Sequence, residues 1–277
     1  MSGRKIKARK LSIELTCTFG KEVYVSPVSY AAAEEMTKNV APVTQNIILP
    51  YIDKLANNMG LENLETVVEG PPKTLQRLFE KAHAKYDGDH TKISDVGRVR
   101  IVVSSIDDLL KFRHYFLGAE PKFDGPNGQL DLRPRIKGHG IRTNDIDVKA
   151  FKDFYWEPDA KGRVAMHIKC NIRTQDNMPF EIQVVLSDML ITEDATRGNY
   201  LQRRMIEGLA QSENRSLTEM EKIELASLDA NTWAQYTDDI ERLGLSEIMR
   251  PDISAKYDQM FIFGFRPTSG TSLVYSQ

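Results

Sequence analysis

Two carboxylates, Asp95 and Glu181, and a basic stripe formed by Lys73, Arg77, Lys81 and Lys85 are the residues whose types and spacing suggest chemistry. Asp95 stands just ahead of Gly97-Arg-Val99-Arg-Ile101-Val-Val103, whose β-branched content and length predict a strand. Glu181 lies in Phe180-Glu-Ile182-Gln-Val184, where it shares one face with Gln183. Two carboxylates carried on two strands can converge on one sheet face. Magnesium, a hard cation, takes one or two carboxylates together with substrate phosphates. Cations recurring every four residues on a helix serve as a rail for phosphate oxygens, or simply as a solvated face. Carboxylates, metal and lysines together are what phosphoryl or pyrophosphoryl transfer requires, because it depends on positioning and charge neutralisation.

The elements that must position these groups follow from pattern. Leu75, Leu78, Phe79 and Ala82 recur at helical spacing and predict a core-facing helix over Lys73 to Tyr86, opened by Gly70-Pro71-Pro72 behind a small apolar piece, Val67-Val68. A helix over Ile106 to Phe116 follows the Asp95 strand, and the Gly-, Pro- and Asp-rich span Gly118 to Asp147 reads as a long loop with one short strand. Val164 to Ile172 alternates cleanly, setting Ala165, His167, Lys169 and Asn171 on one face. The polar turn Arg173 to Asn177 joins it to the Glu181 strand as an antiparallel hairpin. Ahead of this region lie a basic arm (Met1 to Lys10), a strand-like piece from Leu11 to Val25, and a helical pattern from Ser29 that Pro42 and Pro50 break or kink. After Met189 the chain turns helical. Thr218 and Glu221 predict a capping box on a helix ending near Gly244, and the tail from Pro251, with its apolar piece Met260 to Phe265, reads as mobile. The parts are thus 1–65 arm and helices, 66–190 core, 191–250 C-terminal helices and 251–277 tail.

Bulk properties narrow the classes. A formal charge of −2 from 37 basic and 39 acidic residues argues against a whole-molecule grip on nucleic acid, DNA included, so an anion site must be a local basic patch. Cys17 and Cys170 are too few for a disulfide framework or a metal cage, which predicts a reduced, cytoplasmic setting, and Cys170 falls on the apolar side of its strand. His83, His90, His114 and His139 lack ligand spacing for zinc, and Trp156 and Trp233 read as packing residues. No run approaches the roughly 18 apolar residues of a membrane span, and the N-terminus is not a secretory signal.

The order of residues carries more than their types. Gly70-Pro-Pro-Lys73-Thr74 with Lys81, then Asp95-Val-Gly-Arg-Val-Arg100-Ile-Val-Val, resembles the opening of the RelA/SpoT-type alarmone synthetase domain, which reads Gly-Arg-x-Lys-Ser, a further lysine eight residues on, and Asp-Leu-x-Gly-x-Arg-Ile-Val. Phe151-Lys152-Asp153-Phe154, Pro158 and Gly162 to His167 resemble its Lys-Asp-Tyr-x-x-x-Pro-x-x-Asn-Gly-Tyr-x-Ser-x-His segment. Glu181-Ile182-Gln183, with Met189 six residues after Gln183, resembles its Glu-x-Gln motif and following methionine.

That resemblance, over roughly residues 66–190, implies an α+β fold: a nucleotidyltransferase-like mixed sheet with flanking N- and C-terminal helices. It implies a pyrophosphokinase that moves the pyrophosphate of ATP to a nucleotide 3′-hydroxyl, or to an RNA 3′ end as in the toxin branches. Asp95 and Glu181 would be catalytic and hold Mg2+; Glu181 would alternatively accept the hydroxyl proton. Lys73, Arg77, Lys81 and Arg100 would grip ATP phosphates, while Lys152, Arg163, His167 and Gln183 would line the acceptor side. The 65 residues ahead of the motifs are too few for an adjoining hydrolase domain, and a toxin-like member would bring an antitoxin or self-association through the C-terminal helices.

The departures bear on substrate. Pro71 replaces the family arginine, Arg77 a serine, Lys161 an asparagine, Arg163 the tyrosine that stacks on guanine, Ala165 a serine, and Val185-Leu186 an Arg-Thr pair. Loss of a stacking aromatic costs about 1–3 kcal/mol per base, which leaves a GDP- or GTP-like nucleotide, another purine nucleotide and an RNA 3′ end as the acceptors to distinguish. A catalytically silent nucleotide- or protein-binding module, and RNA binding through Arg4 to Lys10, are the rival readings.

Overall fold

In the computed structural model, residues 13–16, 22–61, 64–69, 73–117, 129–130, 144–159 and 162–249 are described. The basic arm, Cys17, Pro71, His139, Lys161 and the tail with Met260 to Phe265 lie outside them, as does most of the span from Gly118 to Asp147. The N-terminal strand-like piece is two strands, β1 (Ile13–Thr16) and β2 (Glu22–Val25), paired antiparallel. Helix α1 (Pro27–Lys38) begins earlier than its alanine pattern, because the Ser26 side chain caps it by accepting from the Ser29 amide. The helical pattern from Ser29 is broken around Pro42 and Pro50, as expected, with α1 stopping at Lys38, four residues ahead of Pro42. Pro42 sits inside α2 (Val40–Val43) and Pro50 in the first turn of α3 (Leu49–Met59), with a π-helical segment (Thr44–Ile48) between. Proline is tolerated in a first turn because the amide it lacks has no intrahelical partner there.

The expected Val67-Val68 piece is a full strand, β3 (Leu64–Glu69), and the basic helix is shorter than its pattern. It runs as α4 (Leu75–Lys85) behind a Thr74 N-cap, so Lys73 stands just outside it. Strand β4 (Gly97–Val103) and helix α5 (Ile106–Leu117) follow as expected. The expected loop holds a two-residue strand, β5 (Gln129–Leu130), and ends at an unexpected one, β6 (Ile146–Asp153). A bulge between Val148 and Ala150 shifts the register of β6, which is why its sequence shows no clean alternation. The hairpin of β7 (Met166–Ile172) and β8 (Met178–Leu186) is antiparallel. Long helices α6 (Met189–Ser212) and α7 (Glu219–Arg242) complete the fold; α7 carries the full Thr218/Glu221 capping box.

The main sheet has the order β3-β4-β8-β7-β6-β5, parallel only between β4 and β8, so the fold is α+β around a mixed sheet. Its apolar face carries Val99, Ile101, Ile182, Val184, Ile168 and Phe151, all fully buried, in one core with residues of α1, α3, α5 and α7. A glycine is required at the mouth of β4. A Cβ on Gly97 would collide with the Phe180 ring packed against it, the residue preceding Glu181. Gly97→Ala is expected to destabilise the fold by about 1–3 kcal/mol, read as a lowered urea midpoint with unchanged slope. Among the described residues no helix is long and apolar enough to cross a membrane.

Candidate active site

The opposite face of the sheet is polar, and register alone assembles it. One row runs Arg100–Gln183–His167–Lys152 across β4, β8, β7 and β6. The neighbouring row runs Arg98–Glu181–Lys169–Ala150. Residues paired across strands share a face, so these rows place one carboxylate among four cations and an imidazole. Arg98 and Lys169 escaped the functional reading of the sequence. Their signal was present, since Arg98 alternates with Arg100 and Lys169 with His167.

Asp95 enters this face from the loop ahead of β4. Lys73 Nζ donates to its Oδ2 at 2.8 Å and to its backbone oxygen at 2.8 Å, while Lys81 Nζ donates to its Oδ1 at 2.6 Å. The pairing is possible because Lys73 stands just before α4 and Lys81 lies along it. Lys169 Nζ donates to Ser94 Oγ at 3.0 Å, which ties the Asp95 loop to the Glu181 row.

Glu181 is 6% exposed, far more buried than the polar half of an open strand. Its Oε1 accepts from Gln183 Nε2 at 2.8 Å, and its Oε2 lies 3.5 Å from His167 Nδ1. Arg100 Nη2 donates to Gln183 Oε1 at 3.3 Å and to Glu193 Oε1, on α6, at 2.6 Å. The polar face is thus closed at one end by α4 and at the other by α6.

Burial first, and the crowding of cations after it, shift the ionisable groups of this face. Burial and then the neighbouring Lys81 and Arg98 charges push Lys73 below the ordinary lysine value, overcoming the pull of Asp95. Lys152 is pushed down by burial and by Lys169, against the pull of Glu181. Burial would raise Asp95, but the Lys73 and Lys81 ammoniums outweigh it and hold the carboxyl at about 2. Burial likewise works against ionised Glu181, and His167 and Lys169 outweigh it, with Asp95 opposing them. The two partners of the Lys73–Asp95 pair therefore both move down. For Lys73 the loss of water exceeds what Asp95 returns, so the ammonium side of the pair is costly while the carboxylate side is favourable.

Asp95 sets a pH dependence. Its folded value lies below the unfolded one of about 4, so its pairing stabilises the fold above that pH. The contribution is lost as pH falls from about 4 through about 2. Over that window the melting temperature of Asp95→Asn should fall less steeply than that of the wild type.

Two expected site residues are engaged elsewhere. Arg77 Nη1 donates to Glu80 on its own helix at 2.6 Å. Arg163 is held by Asp159, its Nε at 2.9 Å and its Nη2 at 2.5 Å, beside the Tyr200 ring of α6. The structure thus brings Lys73, Lys81, Asp95, Arg100, Lys152, His167, Glu181 and Gln183 to one face, and leaves Arg77 and Arg163 off its two rows. Cys170 is buried on the far side, its thiol pushed up to about 12 by burial. Among the described residues no three His, Cys, Asp or Glu side chains gather as a protein-only metal cage.

No protein-family model matches the chain, and no curated protein matches it. Solved structures do. A GTP pyrophosphokinase family protein from Streptococcus pneumoniae is similar at 16% identity and TM-score 0.47, over 85% of this chain and 98% of that one. Small alarmone synthetase 1 from Bacillus subtilis, bound to its product pppGpp, is similar at 14% identity and TM-score 0.43, over 76% of this chain and 97% of that one. The complex of the Type VI effector Tas1 with its immunity protein is similar at 19% identity and TM-score 0.38, over 78% of this chain and 95% of that one. Synthetases of the class that the motif order resembles are thus among the structures to which the chain is similar. At these identities the likeness assigns no activity or ligand to it.

Proposed function

We propose that this chain is a magnesium-dependent pyrophosphokinase that transfers the pyrophosphate of ATP to the 3′-hydroxyl of a purine nucleotide or of an RNA 3′ end. One observation carries the reading. Lys73, Lys81, Arg98, Arg100, Lys152 and Lys169 crowd one polar face around Asp95 and Glu181, and two of these lysines are pushed down by burial and by their cationic neighbours. Such repulsion is relieved by a polyanion, and a triphosphate supplies one.

In the proposed reaction the acceptor's 3′ oxygen bonds to the β-phosphorus of ATP, the bond from that phosphorus to the oxygen bridging it to the α-phosphorus breaks, and AMP leaves. Lys73, Lys81 and Arg98 hold the phosphates and offset their charge. The donor set fits Mg2+, since Asp95 and Glu181 offer hard oxygens within each other's field and phosphate oxygens complete the shell. Bound there, the ion would neutralise charge on the transferring group. Glu181, held ionised by His167 and Lys169, suits that acidic role better than proton abstraction, for which a value near the working pH serves best. Lys152, His167 and Gln183 extend the face on which the acceptor lies.

The silent-module reading has one observation in its favour: both Asp95 carboxylate oxygens already accept from lysines. ATP labelled on the γ-phosphate, offered with magnesium, a panel of nucleotides and bulk tRNA, separates the two. Label appearing on one acceptor establishes transfer and identifies the substrate. ATP binding with no labelled acceptor in the panel makes the domain a silent binder. A protein partner, antitoxin or second copy, would use the exposed Leu201, Met205 and Leu209 of α6 with Met220 and Ile223 of α7.

A further inference from the structure

Glu193 lies near the start of α6, beyond the strands that build the polar face, yet it ends a chain of contacts that runs into the middle of that face. Its Oε1 accepts from Arg100 Nη2 at 2.6 Å, and the same nitrogen donates to Gln183 Oε1 at 3.3 Å. Gln183 Nε2 then donates to Glu181 Oε1 at 2.8 Å, and Glu181 Oε2 faces His167 Nδ1 at 3.5 Å. The groups in this chain admit one order. A guanidinium only donates and an ionised carboxylate only accepts, so the Gln183 amide must turn its oxygen to Arg100 and its nitrogen to Glu181.

The fold holds Glu193 in place independently of the site. The Leu186 amide donates to the hydroxyl of fully buried Tyr155 at 2.9 Å, and the Ser187 amide donates to the Val103 carbonyl at 2.8 Å, which fixes the step from β8 into α6. Thr192 Oγ1 donates to Asp239, and Asn199 Nδ2 donates to Thr232 Oγ1 at 3.2 Å, so α6 is fastened to α7 on either side of Glu193. The Arg100–Glu193 pair adds little to that hold. Its side chains are 24% and 40% exposed, and an ion pair open to water contributes little stability. Its consequence lies in the site.

Of the two bonds made by Arg100 Nη2, the one to Glu193 is the shorter and is charge-assisted, and such bonds are roughly twice as strong as neutral ones. Without it the guanidinium keeps only a long bond to a neutral amide, and nothing then holds the Gln183 oxygen away from Glu181. Resting on the pyrophosphokinase reading above, we infer that Glu193 is a positioning residue of the transfer reaction: through Arg100 and Gln183 it sets the orientation of the Glu181 carboxylate.

Steady-state transfer by the full chain, compared among wild type, Glu193→Ala, Glu193→Gln, Gln183→Ala and the double variant Gln183→Ala with Glu193→Ala, tests this. Glu193→Ala should lower kcat by about 10- to 100-fold, the usual cost of losing a partner that orients an active-site ligand, while KM for ATP and the melting temperature stay near those of the wild type. Glu193→Gln, whose amide oxygen can still accept from Arg100, should recover most of the loss. The double variant should be no slower than Gln183→Ala alone, because both changes break one chain. Additive losses would overturn the inference, as would a rise in KM alone, which marks a substrate contact. Transfer by Glu193→Ala that equals or exceeds the wild-type rate would also overturn it, the faster result showing that Glu193 withholds Arg100 rather than aims it. An active wild type beside an unaffected Glu193→Ala sinks the positioning role and leaves the pyrophosphokinase reading standing. A wild type that transfers to no acceptor sinks both.

Discussion

Glu181→Gln and Asp95→Asn should each lower pyrophosphate transfer by about 10²- to 10³-fold or more, in line with removal of a group that stabilises transition-state charge. The two variants differ in what they do to ATP in the ground state. Asp95 accepts from Lys73 and Lys81, so its loss frees two cations for phosphate oxygens, and ATP affinity without magnesium should be kept or improved. Glu181 is 6% exposed and accepts from Gln183. An amide at that position can still bond Gln183, so Glu181→Gln should fold normally and bind ATP while turnover is lost. Single-turnover transfer measured beside equilibrium ATP binding checks both. Retention of full activity by Glu181→Gln would remove Glu181 from the chemistry.

The largest stability effect is expected away from that face, at the pair of Arg113 and Asp153. Arg113 Nε donates to Asp153 Oδ2 at 2.5 Å, and the two side chains are 4% and 0% exposed. Asp153 Oδ1 also accepts from the amides of Tyr155 and Trp156, while Arg113 Nη1 donates to the carbonyl of Ile248, in the 3-10 turn after α7. The guanidinium lies over the Trp156 ring at 5.4 Å, which bears out that tryptophan as a packing residue. One ion pair thus fastens α5, the end of β6 and the C-terminal turn together, next to Lys152 of the site row. Asp153→Ala leaves a buried guanidinium without its counter-ion, which costs about 3–5 kcal/mol. In a chain of this size the melting temperature should fall by about 10 °C. A double variant, Arg113→Met with Asp153→Leu, should recover much of that loss, because it removes the stranded charge as well as the bond.

The legible parts of this molecule are those whose physics is local. The β-branched run of β4 announced a strand, and the strict alternation of β7 and β8 set His167 with Lys169 on one face of the first strand and Glu181 with Gln183 on one face of the second, while the register that joins the two faces came only with the fold. Thr218 and Glu221 announced the head of α7 because a capping box is complete within four residues. β6 was hidden by its bulge, since one extra residue reverses the alternation on which strand reading depends. The long-range ties were hidden for a different reason. Arg100 meets Glu193 across 93 positions and Lys169 meets Ser94 across 75, and no spacing rule spans such distances. The same limit explains Arg77 and Arg163. Their charge suggested phosphate or acceptor contacts, but the carboxylates that engage them, Glu80 and Asp159, became visible only with the fold.

The central claim is that an intact pyrophosphate leaves ATP on this face, and the nucleotide by-product tests it most directly. With magnesium, ATP and the acceptor selected from the panel, chromatography should show AMP formed in equal amount to modified acceptor, with β- and γ-phosphate labels both on the acceptor. ADP as the by-product, with only the γ label transferred, would contradict the account and make the domain a phosphoryl-transfer enzyme of another kind.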